Sequence, residues 1–280
     1  MRAVIDPQTF IQTKQTCWAL RNGLRVANRS RGRGIEKNYV TNVNANLFMP
    51  LSNSTRVAFE AAQGNELESK MLALASSAAL AVNLFSYWNE IQEVSTVARL
   101  LGVPRPETAS GIKFESIHPI FEGSATSPNL DAEILTAGDG KRVFIECKFV
   151  EPYRDATKPL RQTYFDSNVF DSLPSCRAVA ERTLSDQRPK RFNTSQALTH
   201  IFGLMKTCKG KSKFRLIYLW YNIPGSTGVQ HAEEVQAFAR EAGKDGINFE
   251  TLTVQDFLVN ATALRNKHPK YVDYISDRYF

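Results

Sequence analysis

The residues best suited to chemistry in this chain of 280 residues are two carboxylates and a lysine near its middle. Glu146 and Lys148 are two positions apart in an otherwise mostly apolar run, and Asp131 precedes Glu146 by fifteen residues. If the run is a β-strand, Glu146 and Lys148 share one face, because side chains alternate between the two faces of a strand. Charged groups on a strand fit for burial are costly unless they are compensated, and a bound cation and a phosphate would compensate them.

Two predicted strands, over residues 131–135 and 142–150, bring these side chains together. The Gly-Asp-Gly sequence at 138–140 between them is a strong hairpin signal. An antiparallel hairpin would place Asp131 beside Glu146. The opposite face of the second strand is entirely apolar, so we expect the thiol of Cys147, which lies on that face, to be buried and inert.

The segments 128–131 (Pro-Asn-Leu-Asp) and 146–148 (Glu-Cys-Lys) resemble the signature of the PD-(D/E)XK nuclease superfamily. The second segment is the E-x-K element, and the first ends in the aspartate, although two residues separate this aspartate from the proline. The stretches 64–70 and 151–153 are similar to a prokaryotic restriction-endonuclease-like subgroup, and the resemblance spans roughly residues 60–222. It implies a strand hairpin flanked by helices and metal-dependent hydrolysis of phosphodiesters.

The resemblance also implies roles for the individual residues. Asp131 and Glu146 would bind Mg²⁺, with Mn²⁺ able to substitute, and the backbone carbonyl of Cys147 would supply a third oxygen. Mg²⁺ prefers such oxygen ligands and keeps several waters. Lys148 would orient the attacking water or stabilise the charge on the phosphate, and it could accept a proton if its pKa were depressed.

A helix is predicted over residues 65–88, because apolar residues recur there at spacings of three and four. Asn65 would cap this helix. Glu68 lies close to the apolar stripe and is our candidate for a further metal or water ligand, with Glu66 as the alternative. Both could instead serve only as anions at the helix N-terminus.

A second helix, capped within residues 193–195 and running to about residue 206, carries two further polar candidates. Gln196 would support the site or contact a phosphate, in keeping with the polar residue that such families place on this helix, or it is simply a buried, hydrogen-bonded amide. His200, four residues later, is interpreted as a structural histidine.

The net charge of +7 is unevenly distributed along the chain. Residues 1–60 carry 9 basic and 3 acidic side chains, and residues 151–220 carry 13 and 6. Residues 61–150, between them, carry 7 and 11. A metal-dependent enzyme that acts on a polyanion would need such an acidic centre between basic flanks. The alternative is that these charge blocks are only solvated faces.

Nucleic-acid contacts are predicted for basic and aromatic residues outside the central motif, with solvated loops as the alternative. The candidates are Arg29, Arg31, Arg33, Tyr153, Arg154, Lys158, Lys209, Lys211 and Lys213. Residues 1–60 are interpreted as a basic N-terminal arm that is irregular around residues 25–34. Residues 61–280 are interpreted as a single nuclease domain.

Composition and element order narrow the fold class. The 42% apolar and 22% charged content is that of a globular protein rather than a disordered chain. The four cysteines have no C-x-x-C spacing, which argues against a zinc site or a disulfide framework. Helices alternate with strands, so we expect an α/β fold with a mixed central β-sheet flanked by α-helices. No apolar run spans a membrane, and we expect a cytoplasmic protein.

The leading hypothesis is a Mg²⁺-dependent endonuclease of restriction type that acts on duplex DNA, with prokaryotic defence as its candidate role. A homodimer would be favoured if one site per chain has to cut both strands. Two alternatives stay open. The chain could be a non-catalytic nucleic-acid-binding protein on the same fold, or Asp131, Glu146 and Lys148 could form a buried ion-pair cluster in an unrelated α/β protein.

Overall fold

The computed structural model describes most of the chain. The described residues are 6–31, 34–62, 67, 69–123, 127–138, 141–154, 157–186 and 188–280, with only the backbone described at 28–31 and 34–37. In this part of the chain no helix is both long and apolar enough to cross a membrane.

Helices and strands alternate through most of the sequence. The helices are α1 Pro7–Arg21, α2 Asn53–Ala61, α3 Ser77–Glu90, α4 Val94–Leu100, α5 Glu151–Arg154, α6 Gln162–Phe165, α7 Pro174–Ser185, α8 Thr194–Cys208, α9 Ser226–Lys244, α10 Val254–Thr262 and α11 Pro269–Tyr279. The strands are β1 Val26–Arg31, β2 Gly34–Val40, β3 Ala109–Ile117, β4 Asn129–Thr136, β5 Arg142–Lys148, β6 Phe214–Trp220 and β7 Phe249–Thr253. Short 3₁₀ turns occupy Val43–Asn46, Lys70–Leu72, Pro106–Thr108 and Asn168–Phe170.

The central sheet has five strands in the order β3-β4-β5-β6-β7. The first three strands are antiparallel to one another, and β5, β6 and β7 are parallel. Strands β1 and β2 form a separate antiparallel hairpin. The mixed central sheet flanked by helices confirms the predicted α/β fold class.

Both faces of the central strand β5 are covered. Val143, Ile145 and Cys147 face a core that is completed by residues of α3, α10 and α11. Phe144 faces a second core, on the side of α7, α8 and α9. All seven residues of β6 are buried, which explains why its sequence is apolar and aromatic apart from Arg215. The alternation predicted for the strand around Glu146 is therefore observed.

Short polar side chains cap the N-termini of five helices, including the two whose first turns line the pocket described below. Asp6, Ser52, Ser76, Asn193 and Thr253 each accept a hydrogen bond from a backbone N–H in the first turn of α1, α2, α3, α8 and α10, respectively. Such caps satisfy N–H groups that have no partner within the helix. The cap and extent predicted for the helix that carries Gln196 are confirmed to within two residues at its end.

The predicted helix over residues 65–88 is wrong in its first half. Helix α3 begins at Ser77, and residues 70–72 form a 3₁₀ turn. The side-chain amide of Asn46 donates to the carbonyls of Met71 and Ala73, at 2.7 and 2.8 Å. These bonds hold the segment in a non-helical path, which local periodicity does not reveal.

Residues 1–60, interpreted as a basic arm, contain regular structure in their described part, and β1 occupies most of the stretch expected to be irregular. Helix α1 and the β1–β2 hairpin lie within residues 1–60, and α2 ends one residue beyond them. Trp18 of α1 is buried and makes an edge-to-face contact with Tyr274 of α11, with ring centroids 5.6 Å apart. Ile11 and Phe59 are buried in the same core as α3 and α11. Apolar residues spread thinly among polar ones thus pack this segment onto the rest of the chain.

The guanidinium of Arg278 joins several distant segments in the interior. It is fully buried and donates hydrogen bonds to the backbone carbonyl of Asn46 at 2.7 Å and to that of Leu74 at 3.2 Å. It also donates to the side chains of Asn46 and Gln15, at 2.5 and 3.1 Å. Its guanidinium carbon lies 4.2 Å from the centroid of the Trp18 ring. One side chain of α11 therefore ties down α1 and the segments that precede α3.

Replacing Arg278 should destabilise the fold strongly. Arg278→Met would leave several buried acceptors without donors, and we expect a loss of about 3–5 kcal/mol in the free energy of unfolding. Urea denaturation measures this loss. Arg265→Met is the matched control, because Arg265 is an exposed arginine paired with Asp273 and its loss should cost less than about 1 kcal/mol. Equal effects of the two substitutions would refute the structural role of Arg278.

A buried imidazole lies between two tyrosines under the sheet. The Nδ1 atom of His231 is 3.2 Å from the hydroxyl of Tyr153, and its Nε2 atom is 3.1 Å from that of Tyr218. Burial, together with the nearby charge of Arg191, lowers the pKa of His231 to about 3. The folded chain therefore keeps this histidine neutral in a pH range where the unfolded chain protonates it.

The stability of the protein should consequently fall as the pH drops from about 6.5 towards 3, because only the unfolded state takes up this proton. The histidine contributes up to about 1.4 kcal/mol per pH unit in that window. We expect His231→Gln to lower stability at pH 7 but to flatten this part of the profile in urea titrations. Tyr218→Phe, which keeps the imidazole, should retain the slope. An unchanged slope in His231→Gln would contradict the assignment.

Candidate functional site

A polar pocket of about 310 Å³ lies at the carboxyl end of β5. It is bounded by strands β3, β4 and β5, by the segment before α3 and by the first turn of α8. The lining residues are Lys70, Ser77, Glu115, Ile117, Ser127, Asn129, Asp131, Glu146, Lys148 and Gln196. Three carboxylates and two ammonium groups therefore share one small space.

The strand register brings the predicted trio into this pocket. Ala132 of β4 pairs with Ile145 of β5, so Asp131 stands directly opposite Glu146 in the antiparallel ladder. The Oδ2 atom of Asp131 accepts a hydrogen bond of 2.7 Å from the backbone N–H of Cys147. The carboxylate of Asp131 is thus held at the open end of the β4–β5 hairpin, away from its turn.

Glu146 is fixed by neighbours on β5 and α8. Its Oε1 atom accepts hydrogen bonds from Lys148 Nζ at 2.5 Å and from Gln196 Nε2 at 3.1 Å. His200 Nδ1 lies 3.7 Å from the other carboxylate oxygen. Helix α8 packs closely against His118, which directly follows β3. The glycine at position 203 makes this possible, since a Cβ atom there would lie 2.5 Å from the carbonyl oxygen of His118. The structure thus brings Gln196 to the site, and His200 packs behind it.

The opposed carboxylate of Glu146 disturbs the ionisation of Asp131. Burial and the charge of Glu146 raise the pKa of Asp131 well above its usual value. Burial alone would lower the pKa of Lys148, but the carboxylates of Glu146, Glu151 and Asp131 outweigh it and raise this pKa. Lys148 is therefore a stable cation. A role as proton acceptor would need a neighbouring cation to depress this pKa, and it stays a prediction.

The donor set of the pocket fits a hard divalent cation. Two facing carboxylates, one with a raised pKa, would lose their mutual repulsion if a cation bound between them. The described residues contain no group of three or more His, Cys, Asp or Glu side chains arranged to hold a metal ion. Mg²⁺ takes one or two protein carboxylates and keeps several waters, and its binding here stays a prediction.

Other predicted ligands are placed as follows. Glu66 and Glu68 lie outside the described residues, so their roles stay predictions. The thiol of Cys147 is buried, and burial raises its pKa well above the usual value, as an inert thiol requires. The backbone carbonyl of Cys147 as a metal ligand also stays a prediction.

Sequence reasoning missed Glu115, a further carboxylate of the pocket. It lies on β3 opposite Asp131, since Phe114 pairs with Ala132 and Ser116 with Leu130. Its side chain accepts a hydrogen bond from Asn129, and its φ of 53° lies in the left-handed region that non-glycine residues rarely adopt. The buried, alternating Ile112 and Phe114 could have revealed β3 and hence this residue.

The predicted nucleic-acid contacts fall into separate groups. Tyr153 is buried, and its hydroxyl donates to the carbonyl of Tyr221 at 2.7 Å, so its predicted surface role is wrong. Arg154 and Lys158 are exposed and line a large cleft beside the N-terminus of α8. The side chains of Arg29 and Arg31 are not described, and Arg33 lies outside the described residues.

The basic loop before β6 lies far from the pocket. Lys213 immediately precedes Phe214, which pairs with Arg142 at the amino end of β5, whereas the pocket is at the carboxyl end. Lys209 and Lys213 are exposed, and Lys211 donates to the carbonyl of Ser172 at 3.1 Å. The structure does not bring this loop together with the catalytic candidates.

Comparison with known proteins gives one family. No curated protein and no solved structure matches the chain. A family model described as "Restriction Endonuclease associating with ARP" matches residues 13–280, a range that includes every described residue of the pocket. The chain therefore belongs to this restriction-endonuclease-like family.

Proposed function

We propose that the protein is a Mg²⁺-dependent nuclease of the PD-(D/E)XK type that hydrolyses phosphodiester bonds of duplex DNA. The observation that carries the proposal is the position of Asp131 directly opposite Glu146, with Lys148 beside them in one pocket. Membership in a restriction-endonuclease-like family supports the same chemistry. Mn²⁺ should substitute for Mg²⁺.

Asp131 and Glu146 would hold the ion, with the carbonyl of Cys147 as a proposed third protein oxygen. When bound, Mg²⁺ would neutralise the attacked phosphate, lower the pKa of its water and stabilise the leaving oxygen. The fit rests on the two carboxylates that face each other across the β4–β5 ladder.

The chain's own groups prepare this site. The Cys147 N–H and the Gln196 amide each hold one carboxylate in place. Lys148 keeps its proton and presents a fixed positive charge beside Glu146. Such a charge can orient an attacking water and stabilise the negative charge that grows on the phosphate, at little cost in reorganisation.

Two alternative interpretations of the pocket explain its residues less well. A buried structural ion pair would suit the 2.5 Å contact between Lys148 and Glu146. It does not account for Asp131 and Glu115 in the same pocket, because extra carboxylates add repulsion rather than pairing. A non-catalytic DNA-binding protein would need neither the opposed carboxylates nor a metal ion.

The direct test is nicking of supercoiled DNA with Mg²⁺, with Mn²⁺ and with EDTA. We expect the wild-type chain to cut with either ion and not with EDTA. Glu146→Gln should cut at least about 100-fold more slowly, because it loses one anionic ligand. It should also lose Mn²⁺ binding in calorimetry.

Glu133→Gln is the matched control, because Glu133 is also a buried carboxylate on the same hairpin but pairs with Arg142 away from the pocket. It should retain cutting and Mn²⁺ binding. Salt-sensitive DNA binding without any cutting would favour the non-catalytic alternative. Full activity of Glu146→Gln would refute the proposed mechanism.

Lys148→Gln separates charge stabilisation from metal binding. Removing the ammonium group should slow cutting by about 100-fold or more, the scale for losing one group that stabilises developing charge. Mn²⁺ binding should persist or tighten, because a positive charge next to the carboxylates is gone. Single-turnover cutting and calorimetry measure the two effects. Cutting at the wild-type rate would exclude Lys148 from the mechanism.

A further inference from the structure

A second, larger cleft adjoins the pocket. It has a volume of about 590 Å³ and lies between the end of α7, the segment after α5 and the first turn of α8. Its basic lining residues are Arg154, Lys158, Arg188, Lys190 and Arg191, and its only carboxylate among the lining residues described is Asp186. We refer to it as the basic cleft.

Asp186 orients two of these cations. Arg188 donates two hydrogen bonds to its carboxylate, at 2.9 and 2.8 Å, and Lys190 Nζ lies 2.7 Å from Oδ2. Since Asp186 is the single carboxylate named above against five basic residues, the cleft keeps an excess of positive charge. The side chain of Arg188 is 80% exposed. The carboxylate therefore positions both cations while compensating only one of their two charges.

Arg191 is held in place through its backbone. The N–H groups of Arg191 and Phe192 donate to Glu234 Oε2, at 2.7 and 2.9 Å. Its side chain is partly exposed and lines the cleft. A phosphate oxygen is the acceptor that a guanidinium recognises best.

The first turn of α8 forms a wall shared by the cleft and the pocket. Ser195 lines the basic cleft, and the next residue, Gln196, lines the pocket and binds Glu146. Ser195 Oγ also donates to the carbonyl of Lys158 at 2.7 Å, which fixes one side of the cleft to the helix. The positive end of this 15-residue helix adds to the field of the cations.

We propose that the basic cleft binds the sugar-phosphate backbone of the substrate strand beside the bond that is cut. The inference rests on the proposed function for the identity of the adjoining pocket. It makes the substrate an extended polynucleotide, because the cleft has nearly twice the volume of the pocket and so has room for more than the phosphodiester that is cut. It also places the DNA path along α8 and away from the loop that contains Lys209 and Lys213.

Two variants with equal loss of charge test this path. The cleft variant is Lys158→Gln/Arg188→Gln/Lys190→Gln, and the loop variant is Lys209→Gln/Lys211→Gln/Lys213→Gln. Both are made in the Glu146→Gln background, and binding to a labelled DNA duplex of about two helical turns is followed by fluorescence anisotropy at several salt concentrations. Thermal melting checks that both variants fold.

The cleft variant should bind at least about 10-fold more weakly and should reduce the slope of log affinity against log salt by up to about 2.7. The loop variant should stay within about twofold of its parent, because long-range charge alone has little effect at physiological salt. Equal weakening by the two variants, or no weakening by the cleft variant, would overturn the proposed path.

Cutting by the same variants with Glu146 intact separates this inference from the proposed function. If the parent cuts DNA and the cleft variant cuts and binds as well as the parent does, the path is wrong and the nuclease stands. If the parent never cuts but its DNA binding depends on the cleft, the path stands and the nuclease is wrong.

Discussion

The register between β4 and β5 is the constraint on which the site depends. Side chains alternate along a strand, so a slip of one residue would turn Asp131 to the face away from Glu146. The ladder pairs Ala132 with Ile145. At the open end of the hairpin, the side chain of Asp131 accepts a hydrogen bond from the Cys147 N–H and so joins the two strands there. The same carboxylate thus contributes to the strand pairing and to the pocket, and the site cannot form without the hairpin.

The rest of the fold protects this register. Strand β5 is buried on both faces, so any shift would move apolar residues of two cores at once. Helix α8 adds a second restraint, since Gly203 allows it to pack close to the chain near His118 and its first turn delivers Gln196 to Glu146. Polar and apolar contacts therefore position the charged residues together.

The sequence predicted those parts whose signals are local. The hairpin that carries Glu146, the Asn193 cap of α8 and the buried strand β6 each follow from short patterns of turn, cap or apolar residues. The start of α3 and the structure before residue 60 depend on distant partners, such as the amide of Asn46 on the carbonyl of Met71. Glu115 was missed for a related reason, since its role requires knowing that β3 pairs with β4.

The buried guanidinium of Arg278 has a consequence for biosynthesis. It holds the carbonyl of Leu74, three residues before the helix that presents Ser77 to the pocket, and it also holds Asn46, which in turn holds Met71. One wall of the pocket therefore stays unsupported on the ribosome until α11 has emerged. A nascent chain interrupted before this arginine would carry the charged hairpin but would have no finished site.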